Sequence, residues 1–118
     1  MPHIVLEQAL STRQAFQAIE PLTLKTDSGI LKLGDKYINA TETSVLIEAL
    51  AIEQDKRQSF FIQLSQKSTS ITVRLLPLTD PEKSPGVKTL MARVAKQIKD
   101  INPAISYGKT NLQDYVVP

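Results

Sequence analysis

Between Val87 and Ile101 the apolar residues keep to one side of a helix. Val87, Leu90, Met91, Val94, Ala95, Ile98 and Ile101 fall at i, i+3, i+4, i+7, i+8, i+11 and i+14, the spacing of a continuous apolar stripe. A stripe of this kind is stable only against a second apolar layer, so the chain must supply one. Ser84 and Pro85 mark the start, with Ser84 as N-cap and Pro85 at the first helical position. Asn102-Pro103 marks the stop. The spacing therefore predicts a helix over about residues 85–101. Lys88, Arg93, Lys96 and Lys99 lie outside the stripe, and the last three suit the negative end of the helix dipole.

The second layer is predicted to be a sheet. Leu22-Thr23-Leu24-Lys25-Thr26 alternates apolar and polar residues, the period of a half-buried strand. Asp27-Ser28-Gly29 has turn chemistry, and Ile30 to Leu33 returns as the partner strand. Gly34-Asp35 reads as a second tight turn, with Lys36-Tyr37-Ile38 continuing the meander. Ser59–Leu64 and Ile71–Leu76 are rich in aromatic and β-branched residues and read as strands that meet near Lys67–Thr69. Ile71, Val73 and Leu75 are expected to face the core. Phe60 and Phe61 are adjacent, so on a strand one points each way.

Three segments are less regular. Ser11 to Glu20 reads as a short helix, capped by Ser11 or Thr12 and closed by Pro21. Ile4-Val5-Leu6 before it fits either a strand or an extension of that helix. Residues 41–54 read as a helix: Leu46, Ala49, Leu50 and Glu53 share one helical face, and Ala, Leu and Glu favour helix. As a strand, the same segment puts Glu48 on the face of Leu46 and Leu50. Val45, Ile47 and Ile52 are β-branched and keep the strand open as the alternative. Asn39 or Thr41 is then expected to cap the helix, and Asp55–Gln58 to form a charged loop. Pro77, Pro81 and Pro85 stiffen the connection into the last helix.

The expected fold class is α+β: a small, mostly antiparallel sheet with two or three helices packed on one face and a C-terminal amphipathic helix. A chain of 118 residues makes one domain, expected over 1–103. The tail, 104–118, carries Tyr107, Leu112, Tyr115 and Val116 and is too apolar to stay solvated. It is expected to dock on the domain or on a neighbouring chain, with those four residues as candidate partner-binding positions.

Function is bounded mainly by what the composition excludes. Cysteine is absent and His3 is the only histidine. Disulfides, thiol nucleophiles and structural zinc are thereby ruled out, and a Ser-His-Asp triad lacks a well-placed imidazole. The four glycines form no phosphate-binding loop motif. No cofactor or metal is expected, and catalysis is not the expected role. No apolar run approaches the ~18 residues of a membrane span, and the start of the chain has no basic leader region. A cytoplasmic protein is expected.

One charge asymmetry remains. Residues 1–80 carry eight basic and nine acidic side chains, whereas 81–118 carry six and three. The basic side of the last helix, Lys88, Arg93, Lys96 and Lys99 with Arg74 from the sheet, is the candidate nucleic-acid surface, since lysine and arginine release counterions from phosphates. With six aromatics and no base-stacking motif, the reading favoured is a non-catalytic interaction or regulatory module that binds a protein partner. That partner includes a second copy, as a homodimer.

Overall fold

The computed structural model describes residues 2–9 and 11–118. The sequence folds in the order β1 (His3–Glu7), α1 (Thr12–Ala18), β2 (Leu22–Thr26), β3 (Gly29–Ile38), β4 (Ser44–Glu53), β5 (Lys56–Lys67), β6 (Ser70–Leu75), α2 (Pro85–Lys99) and β7 (Ser106–Thr110). A 3-10 turn, Pro77–Thr79, links β6 to α2. The strands form one sheet in the order β2-β3-β4-β5-β6-β1-β7, antiparallel at every junction. The sheet curls into a half-barrel. Among the described residues strands dominate, and the α-helices are two.

The inner face of the curl holds the core. Leu31 and Leu33 of β3, Val45, Ile47, Ala49 and Ala51 of β4, and Phe60, Ile62 and Leu64 of β5 are buried there. Ile71, Val73 and Leu75 of β6 and Ile4 and Leu6 of β1 continue the layer. Helix α2 lies on this face with Val87, Leu90, Met91, Val94, Ala95 and Ile98 fully buried, so the stripe finds its second layer. Ser84 caps α2 by accepting from the Val87 amide.

Two charged side chains on the inner face serve the helices. The Glu53 carboxylate accepts from the Ser84 hydroxyl at 2.5 Å and from the Gly86 amide at 3.0 Å, which meets the positive end of α2. The Lys36 ammonium donates to the Phe16 and Ile19 carbonyls at 2.5 and 2.9 Å, satisfying the open C-terminal end of α1. The other end of α1 is capped by Ser11, whose hydroxyl accepts from the Gln14 amide at 3.1 Å.

Four expectations are corrected. Residues 41–54 are not a helix: Ser44–Glu53 is β4, paired along its length with β3 and β5. Tertiary pairing overrides the helical preference of Ala, Leu and Glu. The small Ala49 and Ala51 point inward, where the sheet is packed against α2. Asn39 accordingly caps no helix; its side-chain carbonyl accepts from the Thr43 and Ser44 amides at 2.9 and 3.0 Å, closing the β3–β4 loop. The segment 55–58 is no loop, because the hairpin turns on Gln54 and Asp55 alone. Both take positive φ, 47° and 68°, as a two-residue hairpin of this hand requires, and β5 starts at Lys56. Gly34-Asp35 is no turn either. It lies in a shift of register between Leu33 and Lys36 that lets β3 run unbroken from Gly29 to Ile38. Ile4-Val5-Leu6 takes its strand alternative, inserted between β6 and β7.

Candidate functional site

The basic residues singled out in the sequence do not form one surface. Lys88, Arg93, Lys96 and Lys99 lie on α2, on the inner side of the sheet. Arg74 alternates with the buried Val73 and Leu75 and so projects from the outer side, where its Nε donates to Gln63 at 3.3 Å. Three of the four helix cations are occupied by their own chain. The Lys88 ammonium sits 5.8 Å from the Tyr115 ring centre and that of Lys99 5.6 Å from the Tyr107 ring centre, within cation–π range. The Lys96 ammonium donates to Asp100 at 2.7 Å and to the Pro118 carbonyl at 2.8 Å. Arg93 is exposed.

Those same contacts place the tail. Ser106–Thr110 is β7, which pairs with β1, and Leu112 is buried. Tyr107, Tyr115 and Val116 are partly buried against the core. The Tyr107 hydroxyl donates to the Val117 carbonyl. Burial raises the Tyr107 phenol above its usual range, partly offset by the Lys96 charge. The four tail positions are thus engaged by this chain's own helix and sheet.

A different region gathers unoccupied chemistry. The outer face of β3, β4 and β5 carries, in rows set by the strand register, Ile30–Ile52–Arg57, then Lys32–Leu50–Ser59, then the Gly34-Asp35 irregularity with Glu48–Phe61, then Tyr37–Leu46–Gln63. An antiparallel sheet with one face on the core normally has a polar face outward; this one keeps Leu46, Leu50, Ile52 and Phe61 there, half-buried by one another and without a helix above them. A groove of about 530 Å³ runs between Lys32, Glu48, Leu50, Arg57, Phe61 and Thr79. The turn at Pro77–Thr79 forms its rim, held by the Phe61 amide donating to the Thr79 hydroxyl at 3.0 Å. Among the described residues two large apolar side chains stand out as exposed. Tyr37 is 48% exposed and Leu78, in that turn, 91%.

The electrostatics of the groove are uneven. Lys32 and Arg57 form no ion pair among the described residues. Glu48 accepts from the Tyr37 hydroxyl at 2.7 Å, and the Tyr37 ring meets Phe61 edge-on at 6.3 Å. The hydrogen bond to Glu48, burial, and the charges of Glu48 and Asp35 all raise the Tyr37 phenol above its usual value. Along the groove Arg57 and Lys32 therefore stand in the first two rows and Glu48 in the third. Among the described residues no three His, Cys, Asp or Glu side chains gather as for a metal ion. No helix of the described residues is long and apolar enough to cross a membrane.

Sequence reasoning missed this face because it depends on the register of three strands. One signal was present: Glu48 between Leu46 and Leu50 is where a strand with a solvent-facing side places a charge. Comparison of the chain with known protein families, curated proteins and solved structures finds no match.

Proposed function

We propose that the protein is a non-catalytic interaction module and that the outer face of β3–β5 is its contact surface for a protein partner. One observation carries this reading: Leu46, Leu50, Ile52, Phe61 and Tyr37 share a sheet face that no helix covers. Contiguous apolar surface rimmed by charge is a mark of protein contact sites. The aromatic pair Tyr37–Phe61 is of the type enriched at such sites. The nucleic-acid reading has weaker support, because Lys88, Lys96 and Lys99 already bind the tail and Arg74 stands on the far side of the sheet.

The test is site-specific photo-crosslinking in the cells that make the protein. A photoreactive residue at Leu50 or Phe61 is expected to give covalent adducts with a polypeptide, and one at Arg93 is not. Absence of polypeptide adducts from both outer positions, or equal adducts from Arg93, would refute the assignment.

A further inference from the structure

We infer that the partner of the outer face presents an acidic polypeptide segment with apolar side chains at its centre. The inference rests on the assignment of that face as a protein contact surface and adds the chemistry of what covers it. What carries it is the balance of charge at the outward positions. Strand register places Lys25 of β2, Lys32 of β3, Arg57 and Lys67 of β5 and Arg74 of β6 on the outer face, and all five are exposed. Among the described residues Glu48 is the one acid at a paired outward position of β2 to β6. None of the five cations forms an ion pair among the described residues.

The cations are set around the apolar surface. The first row reads Lys25–Ile30–Ile52–Arg57 across four strands, so Lys25 and Arg57 close it at both ends, about 14 Å apart at the usual strand spacing. The second reads Thr23–Lys32–Leu50–Ser59. An apolar group laid on Ile52 and Leu50 therefore has Lys25 and Lys32 on one flank and Arg57 on the other. Carboxylates on both sides of that group meet all three. Glu48 lies one row further on, where it accepts from the Tyr37 hydroxyl, and leaves the first two rows without an acid. A neutral partner would strip water from the cations and return no charge, and a basic one would add repulsion. A polyanion without apolar groups would meet the rim and leave Ile30, Ile52 and Leu50 in water. An acidic segment with an apolar centre satisfies both the floor and the rim.

The experiment repeats the crosslinking from Leu50 in the intact chain with the cations changed. Lys25→Gln, Lys32→Gln and Arg57→Gln in one chain are expected to reduce the polypeptide adduct about tenfold or more. Circular dichroism of the purified variant checks its fold, which exposed substitutions of this kind should leave intact. Lys25→Arg with Lys32→Arg keeps the charges and should keep the adduct. Arg93→Gln, on the helix side of the sheet, should change nothing. A second reading needs no charge substitution: in cell extract the adduct should fall several-fold as sodium chloride is raised from ~0.1 to ~1 M, where the screening length drops from about 10 to about 3 Å. Peptide mapping is expected to place the crosslink in a stretch of the partner where Asp and Glu outnumber Lys and Arg.

An adduct that survives the triple glutamine change, that ignores salt, or that maps to a neutral or basic stretch would overturn the acidic-segment inference and leave the contact-surface assignment standing. Absence of polypeptide adducts from both Leu50 and Phe61, or adducts to nucleic acid in their place, removes both.

Discussion

The two faces of the sheet are built from similar residues and do different things. On β4 the inward set is Val45, Ile47, Ala49 and Ala51, and the outward set is Leu46, Glu48, Leu50 and Ile52. The inward residues are closed off by α2 and buried; the outward ones are only half-buried. Charges divide in the same way. Inward Glu53 and Lys36 each complete a helix end, while outward Lys32 and Arg57 form no ion pair among the described residues. Apolarity on one face holds the fold together, and on the other it remains available.

The sharpest way to break this contrast is to remove equivalent bulk from each face. Ile62 is fully buried on the inner face of β5, so Ile62→Ala leaves a cavity and should cost roughly 2–5 kcal/mol. Leu50→Ala on the outer face should cost less, roughly 1–2 kcal/mol, because the side chain is only partly buried and its removal leaves no closed cavity. Urea unfolding at protein concentrations low enough to avoid association measures both. Equal losses would mean that the outer face is as much a core as the inner one.

The contrast also explains what could be read from the sequence. Helix α2 was legible because its stripe, cap and stop are all local: Val87 to Ile98, Ser84-Pro85 and Asn102-Pro103. The hairpin of β2 and β3 was legible from its alternation and turn. β4 was not, since with Leu and Ile on one face and Val, Ile and Ala on the other it lacks the apolar–polar alternation that identifies a strand. Glu48, the one residue that breaks the apolar run, argued against a strand only while the outer face was expected to be buried. The insertion of β1 between β6 and β7 joins residues about 70 and 100 apart in sequence, and no local pattern encodes that. The outer groove depends on the same long-range register. Phe60 and Phe61 could be read as one inward and one outward, but only the structure assigns Phe60 to the core.

A smaller effect separates the charges. Glu53→Gln keeps an acceptor at the start of α2 but removes the carboxylate charge, and Glu53→Ala removes both. The losses should be roughly 0.5 kcal/mol for the first and about 1–2 kcal/mol for the second. Lys36→Met should cost about 1 kcal/mol, since it strips donors from the Phe16 and Ile19 carbonyls. Lys32→Gln and Arg57→Gln should stay within about 0.5 kcal/mol, the usual range for surface positions. Thermal unfolding of the five variants, again at low concentration, ranks them. A loss at Lys32 or Arg57 as large as at Glu53 would show that the outer cations are structural.

The smallest expected effect concerns Tyr37, which joins the acids of the outer face to its aromatic floor. The hydrogen bond to Glu48 comes first among the causes that raise its phenol, followed by burial and then the charges of Glu48 and Asp35. A phenol whose folded pKa lies above the ordinary value of 10.0 is harder to ionise in the fold than in the unfolded chain. Its contribution to stability is therefore complete below that value and is lost as pH rises through the folded pKa. Titration of tyrosinate absorbance follows it directly. Tyr37→Phe should remove a late-ionising component, distinct from the one that Tyr107→Phe removes. Glu48→Gln deletes the charge and keeps a hydrogen-bond acceptor, so it should move the Tyr37 component towards lower pH without abolishing it. If Glu48→Gln leaves that component in place, Glu48 does not hold Tyr37. The acid row would then be free to turn towards solvent, and the ordered charge pattern that separates the outer face from the inner one would lose its anchor.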